Sequence, residues 1–340
     1  MSAIGKTWTR ALSLAATAMV MAATPIALTA QTVDYRPGVL PDKWFSGGPQ
    51  CATFTQDFQV QEYNSDFYIL RESGCVHTEK PFLYLLFGRN KAILFDTGAG
   101  SNTDPTTGRN PDVVGAVNAV INQWLARNNR SSIPLVVSHF HSHFDHIWGD
   151  PQFASRPNTT FVPPGDVPAL QAIFGIRRWP TDIGSFDLGQ RVLDIIAVPG
   201  HDESHIAVYD RQTGVLMTGD TLYPGRLYIN VADPDVFEDS IDRLVDFTST
   251  RLVTHVLGTH IEQRGPYVDY AIGTHYAPDE IPLQLGRAHL LELQEAASLR
   301  TPPHAAPGKG SGKRIVQKAY RDFTTCGPYP ECNPVNADPR

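Results

Sequence analysis

Four cysteines are spread over 340 residues, and none of them forms a C-x-x-C pair. A thiolate zinc site or a thioredoxin-like redox centre would need that spacing, so neither is indicated. No G-x-S-x-G occurs, and no serine is therefore marked as an elbow nucleophile. Basic residues are the minority charge: 28 Lys+Arg against 35 Asp+Glu leave a net charge of −7. That balance argues against a broad phosphate-binding face, and so against nucleic acid as a partner. Beyond the N-terminus no stretch approaches the roughly twenty consecutive apolar residues of a membrane span. No internal repeat is visible. What remains is a globular composition, 41% hydrophobic and 19% charged, long enough for one large core or two ordinary ones.

The first thirty residues differ from the rest. Lys6 and Arg10 precede an apolar run from Ala11 to Ala23, and Thr24, Pro25 and small residues follow to Ala30. A positive start, a short apolar centre and a small-residue exit predict a signal peptide over 1–30. Its removal leaves no stable membrane insertion, and the protein is expected to be exported, periplasmic or secreted. Cys51, Cys75, Cys326 and Cys332 are an even set, which an oxidising compartment turns into disulfides. Three pairings are open, and the local pairs Cys51–Cys75 and Cys326–Cys332 are the expected ones.

Strand and helix signals alternate along residues 31–300, which predicts an α/β (α+β) domain there. Hairpins are expected at 57–71 and 82–95, and a helix between Pro111 and Asn128. Further strands are expected at 133–137, 191–198, 205–209, 215–218 and 252–257, with helices at 236–248 and 283–298. Residues 301–340, with two prolines and a Gly-Lys-Gly-Ser-Gly run, read as a linker and C-terminal tail.

Four of the twelve histidines fall within 139–146, and His141, His143, Asp145 and His146 form H-x-H-x-D-H. Histidines two apart on an extended segment point to one side and can grip one ion. After a turn, Asp145 and His146 can face a second. Imidazole and carboxylate donors suit zinc, with iron or manganese as alternatives. Three more ligands stand where strands are expected to end: His201 after Pro199-Gly200, Asp220 after Gly219, and His260 after Gly258-Thr259. His255, inside the expected strand, is the rival to His260.

Other residues have plainer readings. His139 and His205 are expected to pack or hydrogen-bond behind the ligands, and Asp96 to cap its turn and brace the site. Asp202 and Glu203 read as solvated loop charges, and Phe140, Phe144 and Trp148 as core or pocket wall. Tyr223 is either wall or a donor to a developing oxyanion. Ser138 and Ser142 carry no expected role.

In order, Asp96-Thr97-Gly98, the histidine cluster, Pro199-Gly200-His201, Gly219-Asp220 and Gly258-Thr259-His260 resemble the metallo-β-lactamase-fold superfamily over residues 55–265. The resemblance implies a four-layer αβ/βα sandwich with a binuclear centre. His141, His143 and His201 would hold one metal, Asp145, His146 and His260 the other, and Asp220 would bridge them. Zinc β-lactamases of the family carry Cys or Ser where this chain has Asp220, so the resemblance leans toward the glyoxalase-II-like and lactonase-like branch. The implied activity is a metallo-hydrolase whose hydroxide, between two zinc ions, attacks an ester, thioester, lactone or amide carbonyl of a small molecule. Asp145 and Tyr223 are the catalytic candidates. An iron-dependent sulfur dioxygenase, a β-lactamase and a phosphodiesterase are the rivals on the same fold.

Overall fold

The computed structural model describes residues 35–100, 109–229, 234–265, 268–298 and 324–326. The expected signal peptide, Cys332 of the expected Cys326–Cys332 pair and nearly all of the expected tail lie outside the described residues. Two six-stranded sheets carry the fold. The first runs in the order β1 (Phe58–Asn64), β2 (Phe67–Glu72), β3 (Phe82–Phe87), β4 (Ala92–Phe95), β5 (Leu135–Ser138) and β6 (Thr159–Phe161). Between β4 and β5 lies α1 (Val113–Arg127), and between β5 and β6 lie the one-turn helices α2 (Phe144–Ile147) and α3 (Asp150–Phe153). After α4 (Val167–Phe174) the second sheet begins, with β7 (Ile183–Asp187), β8 (Val192–Ala197), β9 (Ile206–Asp210) and β10 (Val215–Gly219). The chain continues through β11 (Arg226–Tyr228), α5 (Pro234–Thr248), β12 (His255–Gly258), the β13 (Gln263–Gly265) and β14 (Val268–Asp269) pair, β15 (Gln284–Leu285) and α6 (Arg287–Ser298). The second sheet's order is β15-β12-β10-β9-β8-β7. A last strand, β16 (Thr324–Cys326), pairs in parallel with β11.

Alternation along the strands makes the layers. In β3, Phe82, Tyr84 and Leu86 join Leu193, Ile195, Val208 and Met217 in the core between the sheets. The opposite face, Leu83, Leu85 and Phe87, packs on Val113, Val117, Val120, Ile121 and Trp124 of α1. On the second sheet, Ile196, Ala207, Leu216 and Val256 pack on α5 and α6 through Phe237, Ile241, Leu244, Leu290 and Leu293. Period two in the strands and the 3–4 spacing in the helices thus give helix, sheet, sheet, helix, the expected four layers. Each fully buried apolar side chain contributes about 1.5–3 kcal/mol to that stacking.

Local signals set the boundaries. Asp112 caps α1, its Oδ1 accepting from Gly115 N at 2.8 Å, and Asp166 caps α4 through Ala169 N at 3.0 Å. The last helix starts at Arg287, four residues later than its sequence suggests. Leu283 is drawn into the inter-sheet core, and Gln284 and Leu285 pair with Leu257 and Val256. Here burial between sheets overrides helical periodicity. Cys51 and Cys75 form the expected disulfide. No helix among the described residues is long and apolar enough to cross a membrane.

At one end of the sandwich Arg191 ties the sheets together. It donates to the carbonyls of Asp66 and Phe87, and pairs with Asp210, Nη2 to Oδ2 being 2.7 Å. Both partners are buried. Removing one side of a buried ion pair strands the other charge, typically costing about 3–5 kcal/mol. Arg191→Ala should lose stability on that scale, read as a fall in the urea midpoint.

A candidate metal centre

All the chemistry-bearing loops leave the same end of the two sheets. β4 and β5 run parallel, so Asp96 and the histidine cluster follow neighbouring strand ends. β10 and β12 are also parallel, and β8 runs with β10 because each is antiparallel to β9. His201, Asp220 and His260 therefore emerge side by side, as ligands do at the carboxyl ends of strands. Three bonds stitch the sheets here. Phe82 N donates to Thr259 O and Ile206 N to Phe140 O, each at 2.9 Å, and the Tyr84 hydroxyl donates to Gly258 O.

Six of the candidate ligands form two trios. His141 Nε2, His143 Nδ1 and His201 Nε2 lie 2.9–3.1 Å from one another. Asp145 Oδ2 lies 3.4 Å from His146 Nε2 and 3.3 Å from His260 Nε2. The seventh, Asp220, faces both. Its Oδ2 is 3.4 Å from His201 Nε2 and 3.8 Å from His141 Nε2, while its Oδ1 is 3.5 Å from His146 Nε2 and 3.3 Å from His260 Nε2.

Their outer partners decide which ring nitrogen faces inward. His201 Nδ1 donates to Tyr228 O at 2.7 Å, and His260 Nδ1 to Glu79 O at 2.9 Å. His146 Nδ1 faces Asp96 Oδ2 at 2.6 Å. With the proton on Nδ1, each of these rings offers a lone pair at Nε2. Ligands about 2.0–2.1 Å from a tetrahedral ion sit about 3.3 Å apart, close to the spacings found. Three lone pairs turned on one another in the first trio are reconciled by a cation, and the buried His146 Nε2 has no hydrogen-bond partner. The donor set fits divalent metal, and three groups of donors lie close enough together to hold an ion: His141/His143/His201, His141/His146/Asp220 and Asp145/His146/His260.

The electrostatics agree. Burial alone would raise the carboxyls of Asp145 and Asp220, but facing imidazoles outweigh it and hold both below the usual range: His146 and His260 for Asp145, His260, His146 and His141 for Asp220. Burial and then His146 push His141 well down. At His146 and His260 burial would lower the pKa, but the neighbouring carboxylates more than reverse it.

Supporting residues divide into expected and unexpected. Asp96 braces as its position suggested: Oδ1 accepts from Phe140 N at 2.9 Å while Oδ2 holds His146. It does so at φ +67, a left-handed conformation uncommon for a residue with a side chain. His139 pairs with Asp150 Oδ1 at 2.8 Å, outside both trios. His255 is turned away, its Nδ1 3.2 Å from the Tyr63 hydroxyl, so His260 alone of the two reaches the centre. His205 lies buried behind His141, its pKa pushed down to about 3 by burial and then His201. Phe140 is core, whereas Phe144 is 47% exposed beside His143 and edge-on to His77.

Two readings need correction. Tyr223 is no free donor: its hydroxyl donates to Arg226 O, and its ring stands 5.3 Å from His260 as wall. Asp202 is no solvated charge. Its Oδ2 accepts from Ser142 Oγ at 2.9 Å and its Oδ1 from Ser204 N at 2.7 Å, which clamps the His141–His143 loop to the His201 loop. Ser142 thereby gains a structural role. This clamp and the carbonyls of Glu79 and Tyr228 escape sequence reasoning because a backbone acceptor carries no residue-type signal. A polar residue beside a ligand is the only hint available.

A family model described as the metallo-beta-lactamase superfamily matches residues 141–255. An acyl-coenzyme A thioesterase of Bos taurus is 24% identical over 226 residues, 57% of this chain and 77% of that one. A hydroxyacylglutathione hydrolase of Xanthomonas euvesicatoria is 31% identical over 138 residues, 38% of this chain and 49% of the relative. This chain thus spans about half the length of that second relative. Among solved structures, a metallo-beta-lactamase from Pontibacter korlensis superposes with a TM-score of 0.45 at 16% identity, covering 72% of this chain and 100% of that one. Over residues 141–255 the chain is thus similar to the metallo-β-lactamase superfamily, and its hydrolase-named relatives support an enzyme of the metallo-hydrolase class.

Loss of an outer partner to a ligating histidine commonly weakens metal binding 10–100-fold. Asp96→Asn should weaken metal retention by about that factor, measured by competition with a chromogenic chelator.

Proposed function

We propose that this protein binds two divalent ions, zinc by donor preference, and hydrolyses an ester or thioester carbonyl of a small molecule. Asp220 carries the reading, because its two oxygens face two different trios. His141, His143 and His201 would hold one ion, Asp145, His146 and His260 the other, with Asp220 shared. Such a pair lowers the pKa of a bound water toward neutrality and polarises a carbonyl. Asp145 orients the attacking water from the His146–His260 side, accepts its proton at a carboxylate oxygen and returns it to the leaving group. His201 and His146 are kept in one tautomer by Tyr228 O and Asp96, so neither takes that proton in Asp145's place. A thioester is the first substrate to try, because one relative is named an acyl-coenzyme A thioesterase and another a hydroxyacylglutathione hydrolase.

The test joins metal content to rate. The purified protein should hold close to two ions per chain and turn over at least one member of an ester, thioester, lactone, β-lactam and phosphodiester panel. On that substrate Asp145→Asn should cost about 10²–10⁴-fold in kcat, the range for general acid–base catalysis. Near-full activity with full metal would overturn the role of Asp145. Iron with oxygen uptake in place of hydrolysis would overturn the reaction class.

Export belongs to the same proposal. The leader pattern in 1–30 supports it, and the Cys51–Cys75 bridge suits an oxidising compartment. Protein from the native host should begin near Gln31, as read by N-terminal sequencing.

A further inference from the structure

His205 stands four residues after His201 and outside both trios, yet both of its ring nitrogens are committed next to Asp220. Asp220 N lies 3.2 Å from His205 Nε2. A backbone N–H can only donate, so Nε2 accepts and the ring proton sits on Nδ1. That nitrogen lies 2.7 Å from Thr221 Oγ1, which accepts from it. The ring is fully buried and stands 4.8 Å from the ring of His141. Neither nitrogen is left to ligate, so His205 does not add an eighth donor.

The backbone at this point is built to admit the ring. Gly219 adopts φ +53, and a Cβ there would come within 2.6 Å of His205 Nε2 and 2.8 Å of Phe140 Cβ. Glycine is therefore required both by conformation and by the approach of the imidazole. Two tethers then fix Asp220. Thr259 Oγ1 donates to its Oδ1, and His205 holds its backbone N–H. The first acts on the carboxylate itself, and the second fixes the direction from which the carboxylate leaves the chain. A bridging ligand needs both, since its two oxygens must reach two places at once, and catalytic constellations tolerate only about 0.5 Å of error.

We infer that His205 is a positioning residue for the shared carboxylate: its neutral imidazole, accepting from the Asp220 backbone, aims Asp220 so that one side chain serves both trios. This rests on the proposed two-metal reading of Asp220. The expected consequence is specific. Without the acceptor, the first ion still finds three imidazoles, but the second binds more weakly and the two ions lose their common ligand.

The experiment uses the full chain, stripped with chelator and titrated with Co(II), and it needs no substrate. Stepwise binding is followed by the visible d–d bands and by the loss of the EPR signal that accompanies magnetic coupling through a shared ligand. His205→Phe keeps a ring of similar size beside His141 but removes the acceptor. It should bind the first ion as the unmodified protein does, bind the second about 10–100-fold more weakly, and show weakened coupling. His205→Gln offers a carbonyl oxygen to the Asp220 N–H and should recover part of the second affinity, which also keeps the test decisive if the Phe variant fails to fold. Two ions bound by His205→Phe with unchanged affinities and coupling would overturn the inference while leaving the two-metal reading intact. So would a folded Gln variant with no gain over Phe. A single Co(II) in the unmodified protein would overturn the two-metal reading and this inference with it.

Discussion

Asp220 is one carboxylate asked to face two sets of donors, and much of the structure follows from that demand. Its two oxygens lie 3.3–3.8 Å from four different imidazoles. Misdirecting its chain would break both sets together. It emerges from β10, whose neighbours β9 and β12 are paired on both sides, so the strand end is anchored before the loop begins. Four buried imidazoles, the half-buried one of His143 and two buried carboxylates are costly to desolvate, and the cost is met only where each group meets a partner or a cation. Asp96 at φ +67 belongs to the same logic, because a strained residue persists where its surroundings over-determine it.

The two ends of the sandwich do different work. At the far end, Arg191 and Asp210 close the gap between sheets with a buried pair that has no part in the chemistry. At the site end the joints are backbone bonds, Phe82 to Thr259 and Ile206 to Phe140, each made by a residue next to a ligand or within the ligand loop. A shift of one sheet against the other would thus be felt first at His260 and His141. With the Tyr84 hydroxyl on Gly258 O as a third, the clamp from Ser142 to Asp202 adds a fourth joint, between the loops themselves.

Much of this was legible in the sequence, and the reason is periodicity plus donor type. The strands ending before the ligands are short, apolar runs, and the H-x-H-x-D-H cluster names its residues directly. The ligands between 201 and 260 could be placed because each follows Pro-Gly, Gly or Gly-Thr at a strand end. What could not be read are contacts made across long separations by groups without distinctive chemistry. Glu79 gives a carbonyl to His260 across 181 residues, and Tyr228 gives one to His201 across 27. Tyr223 misled for the converse reason: a phenol near the site suggests a donor, but its hydroxyl is spent on the carbonyl three residues ahead. The start of α6 misled because Leu283 keeps helical spacing with Leu290, seven residues on, yet is buried between the sheets while Leu285 pairs with β12.

The H-x-H pair shows how far spacing alone can go. Two residues apart on an extended chain means Cα atoms about 6.6 Å apart, a gap that two side chains held in identical poses do not close. The structure resolves this by using different atoms. His141 reaches inward with Nε2, its far nitrogen, and His143 with Nδ1, its near one, and the two come to 2.9 Å. His201, arriving from the other sheet with Nε2, closes the triangle at 3.1 and 2.9 Å. In this structure the pair is therefore a long arm and a short arm rather than two equivalent ligands. Only the short arm, His143, stands partly open to solvent, and His141 is buried behind it against His205. The first trio is thus open to solvent on the His143 side and closed on the His141 and His201 sides.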